Sequence, residues 1–462
     1  MLHLKDWKGC AQSYHTLTFI FAFLFLLTTA CGGQQNNANN AQKDQPGLTA
    51  DQLAAADSII KYLHMHVAAI GFSDAAFSLN TLEQKLEALQ KEQLPADSIQ
   101  LTGRQLMEML EASYLSYAKG MRYGFMNPKE TFGANNYDVK IEQADSTFIA
   151  EATEAFSSAQ PCTFLDACQP TSKAYHALLK AYQNDTSAVK KKRIAYNLER
   201  LRWRDTNTPA DNQRYIFVNV PAQQVWAIAP DSVFSMRICC GAPKTKTPLL
   251  TSAIHLIQLN PEWNIPFSII RNEVSRHAGD SAYFDRNQYY ITDRNGNQIA
   301  PKVITAQQLA SGAYRVAQRS GALNSLGRII FRFPNRFSVY LHDTNNKSAF
   351  KAERRTVSHG CIRLQRPFDM AEFVLDKAEP WLLDRMRISM DLTPKTEKGR
   401  EYVKTHGKGA RLINSTDVTP TVPVCISYFT VYPNPETGIV ETYPDRYSYD
   451  KLMEKALKPF LP

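Results

Sequence analysis

The sequence predicts an α+β protein, with an all-α domain first and a β-rich domain interrupted by a long insertion after it. Three observations carry this. Apolar residues recur at helical spacing between Leu48 and about Asn127, and again over residues 173–203. At Arg214 the period changes to short β-branched and aromatic runs separated by turn signals. Between two sets of these runs, residues 260–325 form an irregular stretch rich in Asn, Arg and Tyr, of a length that usually covers a site.

The first 31 residues read as an address. Lys5 and Lys8 precede the apolar run "TLTFIFAFLFLLTTA", which is too short to span a membrane comfortably and ends on small residues before Cys31. The string "LTTACGG" resembles a bacterial lipobox, which implies that Cys31 receives lipid and becomes the mature N-terminus. A plain signal peptide cut nearby is the alternative. Residues 32–47 are polar and low in complexity, and read as a flexible tether. The expectation is an exported chain held by its N-terminal lipid to a membrane facing the periplasm, the outer membrane being the expected one.

Residues 48–210 form the expected helical domain. Leu79, Leu82, Leu86 and Leu89, then Leu106, Met109, Leu110 and Tyr117, fall on inward helical faces. Thr49 with Gln52, and Thr102 with Gln105, have the spacing of capping boxes, and Asn127–Pro128 reads as a helix stop. Leu178, Leu179, Ile194, Leu198 and Leu201 repeat the pattern, with Lys190, Lys191 and Lys192 as a solvated side.

Residues 211–462 form the expected β-rich domain. "RYIFVNVPAQQVWAIAPDSVFSMRICCG" is a three-stranded antiparallel meander by its turn signals. "GRIIFRFPNRFSVYLHD" is a hairpin turning at Pro334 and Asn335, and a last hairpin turns around Asn434 to Gly438. The insertion of about 271–325 is the expected lid.

Composition excludes several classes. The apolar and charged fractions are those of an ordinary globular protein. Loss of Lys5, Lys8 and Asp6 with the first 30 residues changes the formal net charge from +9 to +8. That charge is dispersed, so a nucleic-acid partner is not expected. With Cys10 in the signal and Cys31 lipidated, Cys162, Cys168, Cys239, Cys240, Cys361 and Cys425 remain in the folded part. Cys162 and Cys168 flank a short segment and could bridge, whereas the adjacent Cys239 and Cys240 could hardly bridge each other without strain.

The chemistry concentrates in "YLHDTNNKSAFKAERRTVSHGCIRLQRPF". His342 ends one strand and Cys361 begins the next, so an imidazole and a thiol can meet where two strand ends converge, an arrangement that generates thiolate. Gly360 lets neighbouring N–H groups turn toward one point, as an oxyanion pocket requires. A zinc site from His342, His359 and Cys361 and a satisfied polar corner remain open as alternatives.

"HDT" followed by "SHGCIRL" resembles the signature of the YkuD-type L,D-transpeptidase catalytic domain. "NPEWNIPFSI", "NSLGRIIFRFPNRFSVYLHDTNNKSAF" and "PFDMAEFVL" extend the resemblance to its large YcbB-like branch, as do "YLSYAKGMRYGFMNP" and "NLERLRWR" of the helical scaffold. The resemblance covers nearly all of residues 50–455. It implies Cys361 as nucleophile, His342 as base, the backbone around His359, Gly360 and Cys361 as oxyanion pocket lined by Ser358 and His359, and Arg363 as a seat for a substrate carboxylate. Peptidoglycan stem peptides would be the partners, with no metal and no cofactor.

The implied activity is cross-linking of stem peptides through a cysteine thioester with release of D-alanine. Hydrolysis of stems or cross-links, coupling or release of a wall protein, and a non-catalytic wall-binding scaffold are the other readings. Larger relatives insert a small wall-binding module in the scaffold; here only a short link joins Tyr182 to Ile194, so that module is expected to be missing.

Overall fold

The computed structural model describes residues 47–91, 94–210 and 212–462. The signal segment, Cys31 and nearly all of the tether lie outside the described residues. Pro46–Pro462 is one compact unit, an α+β fold that is helical at first and β-rich later.

The helical part begins as its caps require. Thr49 opens helix Ala50–Ala69 with a capping box to Gln52, and Ile59, Leu63 and Val67 form its buried stripe. Leu79, Leu82 and Leu86 are buried on helix Leu79–Gln90, and Leu106, Leu110 and Tyr117 on helix Ala96–Tyr123. Two expectations fail here. Thr102 caps nothing, because the helix starts behind Pro95 and runs straight through it. The stop is Gly124, and Asn127 instead accepts the Lys129 N–H to start helix Pro128–Phe132 with proline at its first position. Propensity along the chain outweighed a chance cap spacing.

Helix Pro161–Cys168 holds both Cys162 and Cys168, which are free. Six positions along a helix separate them by about 9 Å of rise, too far for a bridge. Helices Lys173–Asn184 and Ala188–Arg202 follow each other across residues 185–187, a link with no room for a further module. Among the described residues no helix is long and apolar enough to cross a membrane.

The meander is as expected: Tyr215–Asn219, Gln224–Ala229 and Ser232–Gly241 pair antiparallel in sequence. The sheet then closes on itself. Strand Ser415–Ser427 pairs parallel with Tyr215–Asn219 and antiparallel with Leu249–Leu259, so eight strands complete a ring and leave no free edge between them. Tyr137–Asp138, from the helical part, adds to Leu249–Leu250, so the sheet crosses the boundary read at residue 210. The core is likewise continuous, running from Leu63 and Tyr117 to Ile254 and Leu364.

The later half is less strand-rich than its sequence suggests. Helices Pro367–Val374, Pro380–Ser389, Glu397–His406 and Tyr449–Leu457 sit between or after the strands. The insertion is also better ordered than an irregular stretch. Strands Trp263–Asn264, Tyr289–Thr292, Gln298–Ile299 and Arg315–Gln318 form a four-stranded sheet, with a core of its own from Ile265, Phe284, Ile291, Leu309 and Val316. It begins before residue 271, at the end of the long strand Leu249–Leu259.

Candidate active site

Two short parallel strands build the site. Leu341–His342 and Ile362–Leu364 are neighbours in the ring, with Leu341 beside Ile362 and His342 beside Arg363. Side chains alternate along a strand, so Cys361 and Arg363 share a face, and His342 stands on that face beside Arg363. Cys361 and His342 are therefore diagonal neighbours. On the other flank Cys239 pairs with Arg363, which puts a second thiol on the same side of the sheet.

His342 is 3 % exposed, and its Nδ1 is buried with no hydrogen-bond partner among the described residues. Burial and the nearby Arg363 guanidinium lower its pKa to about 4, against the pull of the Asp343 and Leu326 backbone. The lowered pKa favours a neutral ring, and Nδ1 is the nitrogen left without a partner. The half-buried Cys361 thiol is pushed up to about 11 by burial, although the Tyr340 N–H and Arg363 both favour its thiolate. Its Sγ lies 4.0 Å from the Ser338 carbonyl oxygen. Burial thus favours the neutral thiol and the neutral imidazole alike.

The turn ahead of Cys361 is held by hydroxyls. Ser358 is buried; its Oγ donates to the Cys361 carbonyl at 2.6 Å and accepts the Gly360 N–H at 3.2 Å. Thr247 donates to the Gly360 carbonyl at 2.8 Å, and Thr245 donates to the Ser358 carbonyl at 2.9 Å. Gly360 has φ +118°, a conformation side chains rarely adopt. Ser358 is thus a brace. Because it occupies the Gly360 N–H, the N–H groups of His359 and Cys361 are the ones with no hydrogen bond among the described residues.

Behind the imidazole, a polar clamp shapes segment 323–328. Buried Asn324 accepts the Leu326 N–H at 2.8 Å and donates to the carbonyls of Pro261, Gln318 and Arg319. Asp343 accepts the Arg328 N–H at 2.8 Å and pairs with Lys347. Gly327, at φ +65°, lies against that carboxylate, where an added Cβ would overlap it. The clamp sets the Leu326 backbone against His342, and nothing in the residue pattern of "LNSLG" announces it.

His359 points elsewhere. Its Nε2 lies 2.7 Å from Oε1 of Glu273, at the end of helix Phe267–Asn272 in the insertion. The three ligands of the zinc alternative do not converge, and no group of three or more metal-ligating side chains gathers among the described residues. Arg363 is half-buried, its Nε lacks a partner, and no ion pair engages it among the described residues.

This arrangement coincides with a family match. Residues 213–406 match the YkuD family, described as the L,D-transpeptidase catalytic domain, and residues 40–181 match the Scaffold domain. The chain carries an L,D-transpeptidase catalytic domain behind a Scaffold domain. It has the scaffold-bearing, YcbB-like architecture. A Haemophilus influenzae protein named "Putative L,D-transpeptidase" is 28 % identical over 267 residues, which is 57 % of this chain and 49 % of that protein. The chain thus spans about half the length of the curated relative it matches. The scaffold match ends at residue 181, inside helix Lys173–Asn184, while helical structure continues to Arg202.

Proposed function

We propose that this L,D-transpeptidase cross-links peptidoglycan stem peptides through a thioester on Cys361. One observation carries the reading: a strand-end thiol and a neutral imidazole with a free Nδ1 share one sheet face, inside a domain matched to this family. The Cys361 sulfur attacks the carbonyl carbon of the third stem residue as its proton moves to His342 Nδ1. The S–C bond forms, the C–N bond to D-alanine breaks, and the proton passes to the leaving amine. The N–H groups of Cys361 and His359 are suited to the oxyanion, and Arg363, without an ion pair, to the stem carboxylate.

A side-chain amine of a second stem then attacks the thioester. The N–C bond forms, the C–S bond breaks, and the amine proton returns through His342 to sulfur. Because thiol and imidazole both rest neutral, thiolate forms only as the proton moves, which limits side reactions in an oxidising compartment. The insertion, with its own core, suits exclusion of water from the thioester. Export with lipidation at Cys31 would set the enzyme on a membrane beside its polymer.

The test is to incubate purified protein with tetrapeptide-stem muropeptides and identify products by mass spectrometry. Dimers joined between third residues, with D-alanine released and both lost in Cys361→Ala, are expected. Tripeptide alone would make the enzyme a carboxypeptidase; turnover by Cys361→Ala would remove the cysteine mechanism.

A further inference from the structure

The turn that carries the nucleophile is held by one short loop. Residues 242–247 follow strand Ser232–Gly241, and three of their groups bond to carbonyls of the turn. The Ala242 N–H and the Thr245 hydroxyl donate to the Ser358 carbonyl, each at 2.9 Å, and the Thr247 hydroxyl donates to the Gly360 carbonyl at 2.8 Å. A peptide unit is planar, so a carbonyl and the N–H that follows it turn as one body. Fixing the Ser358 carbonyl therefore fixes the His359 N–H, and fixing the Gly360 carbonyl fixes the Cys361 N–H. These are the two donors suited to the oxyanion, and the loop sets both from the far side of their own peptide planes.

One side chain pins that loop at its two ends. Tyr447, buried and 200 positions from Thr247, donates its hydroxyl to the Gly241 carbonyl at 2.7 Å and accepts the Thr247 N–H at 3.1 Å. Thr247, itself buried, closes the ring of bonds by accepting the Gly241 N–H at 2.8 Å. An apolar ring could fill the same space, but a phenol brings a donor and an acceptor on the one atom that reaches both ends. Tyr447 is held in turn: its N–H donates to the Tyr428 hydroxyl at 2.7 Å, which donates to Asp445 at 2.6 Å. Asp445 also accepts the N–H of Asp450, whose carboxylate accepts from Arg200 of helix Ala188–Arg202 at 2.9 Å. The helical part thus reaches the catalytic turn through the segment around Tyr447.

We propose that Tyr447 is a positioning residue for acyl transfer, pinning loop 242–247 so that the loop aims the His359 and Cys361 N–H groups at the oxyanion. The proposal rests on the transpeptidase reading and deepens it. The Tyr447 hydroxyl acts through Thr247 and the two peptide planes and takes no part in the chemistry itself. Donors of this kind lower the barrier only when aimed where charge develops, so a loosened loop costs rate and spares substrate binding.

The test compares two variants that each delete one buried tyrosine hydroxyl. Tyr447→Phe acts at the loop, whereas Tyr114→Phe removes a hydroxyl that donates to the Pro161 carbonyl at 2.8 Å in the helical part. Both should lower the melting temperature, because each leaves a buried carbonyl without its donor. The purified protein is mixed with a tetrapeptide-stem muropeptide at a temperature where every form is folded, and thioester formation is followed by intact mass. Tyr447→Phe should slow its maximal rate at least about tenfold, a part of the roughly hundredfold that one oxyanion donor is worth. The half-saturating muropeptide concentration should stay within about twofold, and Tyr114→Phe should keep the wild-type rate. Thr247→Val should copy Tyr447→Phe, Thr247→Ser should recover most of the rate, and the double variant Tyr447→Phe with Thr247→Val should be no slower than the slower single one. Alkylation of Cys361 by iodoacetamide, which needs the thiol but no oxyanion donor, should stay within about twofold of wild type. Equal rates of thioester formation in Tyr447→Phe and wild type would overturn the positioning role alone. So would faster alkylation of Cys361, the mark of a turn that has merely come loose, or losses that multiply in the double variant. A wild type that forms no thioester would overturn the transpeptidase reading and this role with it.

Discussion

At the residue scale, the pair Cys361 and His342 is tuned for restraint. His342 stays neutral down to about 4, whereas an unfolded chain protonates it near 6.5. Between those values the unfolded state binds more protons, so stability falls as pH drops through that window, by about 3 kcal/mol in all. Urea unfolding at several pH values should show this slope, and His342→Ala should flatten it. The same lowering predicts that the acidic limb of kcat/KM lies nearer 4 than 6.5. A limb at 6.5 would mean that the imidazole is solvated in the working enzyme. A strained β-lactam of the carbapenem class tests the thiol directly. Its ring-opened amine stays tethered, so the acyl-enzyme should persist as one adduct per chain, mapped to Cys361 and absent from Cys361→Ala. Cys239 and Cys240 are fully buried, which keeps a bulky β-lactam from reaching them.

At the element scale, the turn from Ser358 to Cys361 and the segment 323–328 do what the strands alone cannot. Gly360→Ala meets only ordinary contacts, from Val339 and the Lys246 carbonyl, so its cost is in the backbone at φ +118°. About 1–3 kcal/mol of strain is expected, enough to rotate the Cys361 N–H away from the reacting carbonyl. Activity should fall at least a hundredfold, roughly the value of one oxyanion donor, while the melting temperature drops by only a few degrees. Equal activity in Gly360→Ala would remove the oxyanion role from this turn. The His342 motif and the Cys361 motif were legible in sequence because strand ends and a glycine mark them. The Asn324 clamp was not, since a buried asparagine reveals its purpose only through the carbonyls of Pro261, Gln318 and Arg319 that fold around it.

At the scale of the whole molecule, helix and barrel share one core, and helix Ala188–Arg202 carries a buried ion pair within itself. Glu199 accepts the N–H groups of Phe125 and Met126 at 2.7 and 3.1 Å and the Trp203 indole at 3.1 Å. Arg202 donates to Glu199 and to the Tyr175 hydroxyl, and packs over Phe72, Phe125 and Tyr175. Phe460, near the C-terminus, sits on Phe72 and Phe125, with its carbonyl accepting the Ser73 N–H. Arg202→Met should destabilise by about 3–5 kcal/mol, because Glu199 is left buried and uncompensated. The double variant Glu199→Gln with Arg202→Met should recover part of that in denaturant unfolding. No recovery would place the cost in lost packing rather than in charge. Cys31→Ala should convert a membrane-bound form into a soluble exported one on fractionation; pelleting of the variant would mean that something other than lipid holds it.

The sequence by itself determined the order of helical and β-rich parts, the Thr49 cap, the meander from Tyr215 to Gly241, and the meeting of a histidine-bearing and a cysteine-bearing strand end. Each of these rests on local periodicity or on a short motif, which neighbouring residues along the chain specify. Only the tertiary structure decided the closure of the sheet by Ser415–Ser427, the neutral resting pair, the role of Ser358 as a brace, and the approach of Glu273 to His359. Those depend on burial and on contacts between residues dozens to hundreds of positions apart. Desolvation and long-range pairing leave no periodic trace in a chain, so they are read only where the chain has folded back on itself.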